Sequence, residues 1–256
     1  MRTCLHKTAR TGFTLVELLV VIAIISLLLS ILTPSLKRVK LAASRVSCLS
    51  RTNQLAVGVV QHTINNRNRT PPNTMWYVWL PPYVGQDKTI NYCPQVTVRT
   101  PWELGGTTYM GGTNYAWGWG GPDGLDPRES VYRGSYCFNT WFSQYDGNGW
   151  MPVFDPQRIY VYDTTGQIAN ASQAPIIGDG CWMEGWPLDV DLPPDNPDFP
   201  WLSHYHDIRR WCMPRHDNGV NLAFADGAAR YVERTRLWSL SWNRRWTPKG
   251  YVDVKP

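Results

Sequence analysis

The longest apolar stretch of the chain lies close to its N-terminus. Phe13 to Leu36 is a run of 24 residues with one charged side chain, Glu17. At about 1.5 Å of rise per residue, a helix of this length spans roughly 36 Å, which exceeds a hydrocarbon core of about 30 Å. The pattern therefore predicts a transmembrane helix over 13–36.

A second helical pattern follows the apolar run. Apolar or small residues recur every three or four positions from Val39 to Val60, and basic residues take the other faces. This periodicity predicts an amphipathic extension over 37–64, with the helix ending near His62. Because proline lacks an N–H group, we expect Pro34 to kink or break the helix near the membrane exit.

The remainder of the chain, residues 65–256, has a different composition and is called the head below. All fourteen Trp residues lie at or after Trp76, and most Gly and Pro residues are also found there. Turns and short strands are expected, and we interpret the Trp side chains mainly as core. Trp76–Leu80, which ends at a Pro pair, is predicted to be a strand.

The clearest local element of the head is a hairpin near the C-terminus. Two alternating runs between Val220 and Glu233 flank Asp226-Gly227, which is a strong hairpin signal. A two-residue turn would place Leu222 opposite Tyr231, with Val220, Leu222 and Phe224 on one face. Further on, Trp238, Trp242 and Trp246 recur at four-residue steps, which predicts one side of a short helix that packs on the sheet.

The segment Arg10-Thr-Gly-Phe-Thr-Leu-Val-Glu, with the apolar run behind it, closely resembles the class III signal of type IV prepilins and type II secretion pseudopilins. The resemblance implies a leader over 1–12, cleavage between Gly12 and Phe13, and N-methylation of Phe13. It also implies an assembly role for Glu17 and a helix bend at Pro34.

Two other interpretations of the N-terminus fit less well. An ordinary signal peptide has a shorter apolar region that ends at a small-residue cleavage site, and Thr33-Pro34-Ser35 is a poor match. A plain signal anchor leaves Glu17 unexplained, because a carboxylate within an apolar span is costly.

His216, followed by nine residues and Asp226-Gly227, resembles the C-terminal signature of a large bacterial family of pilin-like proteins. Together the two resemblances imply an α+β pilin-like fold. In it, a long N-terminal transmembrane helix packs on an antiparallel sheet that carries irregular insertions rich in Trp, Gly and Pro.

His216 and Asp226 could form a catalytic pair, but we favour a structural role in a turn, because the sequence offers no nucleophile motif beside them. His204, His206 and Asp207 join His216 as weak metal candidates, since zinc ligands usually show tighter paired spacing. Neither pattern makes an enzyme the first expectation.

An acidic, Pro-rich loop is a candidate calcium site. Its carboxylates are Asp189, Asp191, Asp195 and Asp198, and oxygen ligands at that density suit Ca²⁺. The spacing is not that of an EF-hand, so a solvated acidic loop remains the alternative. No other cofactor is expected.

Five cysteines remain after the predicted cleavage, so an odd thiol is left over from any pairing. Disulfides are allowed outside the cytoplasm. We pair Cys181 with Cys212 first, because both adjoin a Trp, and Cys93 with Cys137 second.

The net charge of +5 falls to +2 when the leader and its three basic residues are removed, so nucleic acid is not expected as a partner.

The predicted function is that of a structural subunit of a type II secretion or type IV pilus-type fibre. Its expected partners are prepilin peptidase, other pilin subunits and the inner-membrane assembly platform. We expect a single-pass protein of the bacterial inner membrane, with its head outside the cytoplasm and later in a periplasmic or cell-surface fibre. The alternative is a helix-anchored surface module whose Trp-rich head binds glycans or an envelope protein.

Overall fold

A computed structural model describes residues 14–71, 76–97, 110–119, 132–143, 162, 166, 168–196 and 208–254. Two compact units divide the chain between Ala42 and Ala43. The fold is α+β and pilin-like, with a long N-terminal apolar helix and a mostly antiparallel sheet.

Helix α1 (Leu15–Asn65) is the longest element, and its first part makes up the described portion of the first unit. Its apolar side chains up to Leu36 are exposed, and by length and composition the helix could cross a membrane. The prediction for Pro34 is a kink or a break. The helix continues through Pro34, so a break does not occur there. The helix ends at Asn65, three residues beyond the expected end at His62.

Thr14 and Glu17 form a reciprocal cap at the N-terminus of α1. The backbone N–H and the hydroxyl of Thr14 each donate to Glu17 Oε2 over 2.8 Å, and Glu17 N donates to Thr14 Oγ1 over 3.3 Å. This is the capping-box arrangement, which satisfies backbone donors that the first helical turn leaves without partners.

The second unit is built on a five-stranded sheet of order β5-β3-β4-β6-β7, and a separate pair is formed by β1 and β2. All described pairings are antiparallel except that of β3 with β5. The strands are β1 (Trp117–Trp119), β2 (Tyr132–Gly134), β3 (Tyr136–Asn139), β4 (Pro175–Asp179), β5 (Glu184–Gly185), β6 (Gly219–Phe224) and β7 (Ala229–Glu233).

One face of this sheet is covered by the distal part of α1. Leu55, Ala56 and Val59 of the helix are buried in one cluster with Phe138 of β3 and Ala223 of β6. The apolar stripe of the predicted amphipathic extension therefore finds its cover on the sheet, as the sequence analysis expected.

The predicted strand at Trp76–Leu80 is wrong, because the segment forms a short helix, α2 (Trp76–Trp79), and a second short helix, α3 (Pro81–Val84), follows it. Leu80 N donates to Trp76 O over 2.9 Å, which closes a helical turn. The proline that was expected to end a strand instead begins α3, a position where the missing N–H costs nothing.

The opposite face of the sheet packs against the C-terminal segment. Val220, Leu222 and Phe224 share one cluster with Trp238 and with two further residues of the Trp series, Trp242 and Trp246. Both the common face of the three β6 residues and the packing of the Trp series on the sheet are confirmed. Only Trp238 lies in a helix, a 3-10 helix over Arg234–Ser239.

The hairpin exists, but its predicted register is wrong by one residue. Leu222 pairs with Arg230, and Asn221 pairs with Tyr231. Phe224 N donates to Ala228 O and Gly227 N donates to Phe224 O, both over 2.9 Å. The loop therefore has three residues and places Gly227 at φ +84°, where glycine is favoured.

Candidate functional site

Four side chains that are far apart in sequence meet in the interior of the second unit. Their donor atoms all lie within 4.8 Å of one another, and every member is buried. The members are Cys48, Cys93, Asp179 and His216, and they are called the buried cluster below.

Each member comes from a different element of the fold. Cys48 lies on the distal part of α1, and Asp179 is the last residue of β4. His216 lies three residues before the start of β6, and its backbone N–H donates to Gly219 O over 3.0 Å. Cys93 lies in the segment before β1, held by a hydrogen bond from its backbone N–H to Ser135 Oγ. The cluster therefore joins the helix, the sheet and a connecting segment.

The distances within the buried cluster are short. His216 Nε2 lies 3.1 Å from Asp179 Oδ2 and 3.4 Å from Cys93 Sγ. Cys48 Sγ lies 3.5 Å from Asp179 Oδ1. Asp179 thus contacts both His216 and Cys48.

Further hydrogen-bonding groups contact these four side chains. Arg215 Nη1 lies 3.1 Å from Asp179 Oδ1, and both side chains are fully buried. Asn221 donates its backbone N–H to Asp179 Oδ2 over 2.9 Å. Tyr136 Oη lies 3.5 Å from Cys48 Sγ. Each anionic group of the cluster therefore has a hydrogen-bonding neighbour, as buried charges require.

For both Asp179 and His216, burial and the neighbouring charges shift the pKa in opposite directions. Burial alone would raise the pKa of Asp179, but His216, Arg215 and the Asn221 N–H lower it to about 2. Burial alone would lower the pKa of His216, but the Asp179 carboxylate raises it to about 9. Asp179 is therefore an anion and His216 a cation at neutral pH.

The two thiols of the cluster differ from each other. Burial raises the pKa of Cys48, but hydrogen bonding from Cys93 and the proximity of His216 outweigh this effect and lower it to about 6. Burial and the nearby anions raise the pKa of Cys93 well above the usual range. The two thiols therefore differ in direction, with the pKa of Cys48 below the ordinary value of a thiol and that of Cys93 above it.

The two ends of the His-x9-Asp-Gly motif do not meet as a pair. Asp226 lies in the hairpin loop, where its Oδ1 accepts a hydrogen bond from Ala228 N over 3.0 Å. Gly227 supplies the positive φ of that loop. The geometry fits the structural role that the sequence analysis favoured for Asp226, whereas His216 belongs to the buried cluster.

The metal and calcium candidates of the sequence analysis are only partly described. His204, His206, Asp207 and Asp198 lie outside the described residues. Asp191 Oδ2 accepts backbone hydrogen bonds from Leu188 over 2.8 Å and Ile208 over 3.0 Å, so it organises its own loop. A calcium ion held by Asp189, Asp191, Asp195 and Asp198 stays a prediction.

Cys181 and Cys212 are buried in the same apolar cluster, but the structure does not join them in a disulfide. Their disulfide stays a prediction for peptide mapping to test. Cys93 and Cys137, the second predicted pair, belong to different clusters.

The predicted processing site falls outside the described residues, since these begin at Thr14. Cleavage between Gly12 and Phe13 and methylation of Phe13 therefore stay predictions here. Glu17 is described, and within one chain its carboxylate caps the first turn of α1.

An aromatic cavity of about 340 Å³ lies beside α2 and α3. Trp76, Tyr77 and Tyr132 line it together with Lys88 and Arg133. Aromatic faces next to charged side chains are features of small-molecule sites, so this cavity is relevant to the alternative of a binding module.

Sequence reasoning missed most of the buried cluster. Cys48, Cys93 and Asp179 were not connected with His216, because no two of the four lie close enough in sequence to form a metal-binding motif. Arg215 was not singled out either. The cysteine count is the sequence feature that could have pointed to this cluster, but the prediction made from it is disulfide pairing.

Comparison with known proteins gives one match. Residues 7–33 match the prokaryotic N-terminal methylation motif. No curated protein and no solved structure matches the chain. The match covers the predicted processing site and most of the apolar stretch, and it supports a type IV pilin or pseudopilin-type precursor that prepilin peptidase processes.

Proposed function

We propose that this chain is a structural subunit of a pilus-type fibre, assembled after prepilin peptidase cuts between Gly12 and Phe13. The observation that carries the proposal is the methylation motif at 7–33, which includes most of the exposed apolar part of α1. The fibre is either a type II secretion pseudopilus or a type IV pilus.

The exposed apolar side chains of α1 support assembly through this helix. Leu18, Ile22 and Leu29 are each more than half exposed, as are many of their neighbours. An apolar surface of this size needs lipid or other apolar helices around it. Lipid meets that need in the membrane, and neighbouring subunits meet it once the helix leaves the bilayer.

The Glu17 carboxylate would fix the axial register between neighbouring subunits. Cleavage would free an amino group at Phe13, and a cation there can pair with the Glu17 carboxylate of an adjacent subunit. An unpaired charge in apolar surroundings is expensive, so such a pair would select one axial offset between subunits. The contact of Glu17 with Thr14 shows that the carboxylate also acts within its own chain.

The buried cluster supports a structural rather than a catalytic role for His216. All four members are shielded from solvent, so a substrate has no access to them in this state.

In the fibre, the head would lie outside the cytoplasm, at the fibre surface, and the inner-membrane assembly platform would be the partner that drives assembly.

Fibre assembly can be tested in cells that carry a prepilin peptidase and an assembly platform. The wild-type chain should appear in the fraction released by shearing. A Gly12→Glu variant, blocked at the leader, should remain in the membrane fraction. Equal release of both proteins would contradict the proposal.

The aromatic cavity favours one second candidate, a helix-anchored module whose head binds glycans. The partly exposed rings of Tyr92 and Tyr132 and the two basic groups beside them suit stacking on a sugar ring. A glycan array probed with the detergent-solubilised chain tests this role. Saturable binding that Tyr132→Ala removes would support it, whereas an array without saturable binding would reject it.

A further inference from the structure

We propose that the buried cluster is a structural zinc site, in which Cys48 Sγ, Cys93 Sγ, His216 Nε2 and one Asp179 oxygen bind the ion. The site would tie the distal part of α1 to β4, to the start of β6 and to the segment that carries Cys93. This proposal goes beyond the role in a fibre and does not depend on it.

The geometry matches what zinc requires. Zinc forms bonds of about 2.0–2.3 Å to such ligands, and a tetrahedron of that size separates its corners by roughly 3.3–3.8 Å. His216 Nε2 to Cys93 Sγ is 3.4 Å, and Cys48 Sγ to Asp179 Oδ2 is 3.6 Å. The distance from His216 Nε2 to Asp179 Oδ2, 3.1 Å, is only slightly shorter.

The set of ligand types selects the metal. Two thiolates favour zinc over the hard cations Mg²⁺ and Ca²⁺, which prefer oxygen ligands. Imidazole and carboxylate complete a four-ligand sphere without an open position. A closed sphere is the mark of a structural ion, and the complete burial of the four residues agrees with it.

Charge in the site also fits a divalent ion. A zinc ion bound by two thiolates and one carboxylate carries one net negative charge, and the Arg215 guanidinium, 3.1 Å from Asp179 Oδ1, supplies the opposite charge. The large cost of an uncompensated interior charge is therefore avoided.

Hydrogen bonds from neighbouring residues would hold the ligands in place. Arg215 and the Asn221 N–H fix the Asp179 carboxylate, with contacts of 3.1 Å and 2.9 Å to its two oxygens. Tyr136 Oη lies within reach of Cys48 Sγ, and Ser135 Oγ holds the backbone of Cys93. Such outer contacts orient ligands and are typical of metal sites.

The competing chemistry is a disulfide between Cys48 and Cys93, whose sulfur atoms also lie within 4.8 Å. A disulfide would leave His216 and Asp179 as an ion pair and would use two of the four donors. Zinc uses all four, which is why the observations favour the metal.

The test uses the full chain, purified in detergent without an affinity tag and under reducing conditions, with elemental analysis of bound zinc. We expect about one zinc ion per chain. Cys93→Ser should lose the zinc, whereas Cys212→Ser, an equally buried cysteine outside the cluster, should retain it. A wild-type chain with no bound zinc, or equal zinc in both variants, would overturn the proposal.

A second measurement does not depend on the folding of a variant. Co²⁺ exchanged into the wild-type chain should give the strong visible bands of tetrahedral cobalt and a near-ultraviolet thiolate-to-cobalt charge-transfer band. Peptide mapping of the chain as isolated gives an independent check. Weak octahedral bands, or a Cys48–Cys93 disulfide as the main species, would contradict a zinc site.

Discussion

His216 Nε2 lies 3.1 Å from Asp179 Oδ2, so the partner of this histidine is a residue of β4 and not Asp226 of its own motif. The carboxylate of Asp226 accepts a hydrogen bond from Ala228 N in the hairpin loop. The nine residues between His216 and Asp226 contain β6, which places the two ends of the motif at opposite ends of one strand.

Loss of the Asp179 charge should be strongly destabilising. Asp179→Asn leaves Arg215 and His216 without their anion in a buried site, and breaking such an arrangement costs about 3–5 kcal/mol of unfolding free energy. Asp226→Asn is the matched control, because asparagine can keep the hydrogen bond of the loop. Urea unfolding of the detergent-solubilised chain measures both, and equal midpoints for the two variants would refute the central place given to Asp179.

Two substitutions separate the roles of Glu17. Glu17→Gln keeps a side chain suited to the capping box but removes the charge, whereas Thr14→Val removes the cap and keeps the charge. We expect Glu17→Gln to be cleaved normally yet to be largely absent from the sheared fibre fraction. Thr14→Val should still assemble. The opposite result would show that the cap, and not the charge, is what assembly needs.

Gly227 should tolerate asparagine better than alanine. Its φ of +84° is left-handed, and no atom lies within 4 Å of an added Cβ, so backbone strain alone decides the cost. Alanine should lower the unfolding free energy by about 1–2 kcal/mol, and asparagine by less. Thermal unfolding of the two variants measures the difference, and alanine with no effect would contradict the assigned loop.

His62 should make the protein less stable in mild acid. Its ring centroid lies 4.7 Å from that of Trp79 and 5.4 Å from that of Tyr83, and burial lowers its pKa. The unfolded chain therefore takes up a proton near pH 6.5 while the folded chain resists it, so stability present above that pH is lost as the pH falls.

His62→Phe keeps an aromatic ring and removes this titration. Its urea midpoint should fall less between pH 7.5 and pH 5.5 than that of the wild-type chain. If the two midpoints fall in parallel, His62 does not contribute to the acid sensitivity.

The sequence predicted those parts of the fold that depend on short-range patterns. The apolar run, the three- and four-residue periodicity after Val39 and the Asp226-Gly227 turn all gave the correct element. The errors arose where packing decides. The apolar pattern of Trp76–Leu80 does not distinguish a strand from a helix. The hairpin register depends on whether Ala225 joins Asp226 and Gly227 in the loop.

The buried cluster could not be predicted from the sequence for a different reason. Cys48, Cys93, Asp179 and His216 come from four separate parts of the chain, and only the packing of α1 on the sheet brings them together. Local spacing, which reveals most zinc sites, carries no information when each ligand comes from a separate element.

The mass and the N-terminal sequence of the mature protein test whether this chain is a prepilin-type precursor. The chain should be isolated from membranes after co-expression with a prepilin peptidase. We predict a protein that starts at N-methylated Phe13, and a Gly12→Ala variant that is cut slowly or not at all. A wild-type chain that still begins at Met1 would contradict the account and leave a signal anchor with a Trp-rich head.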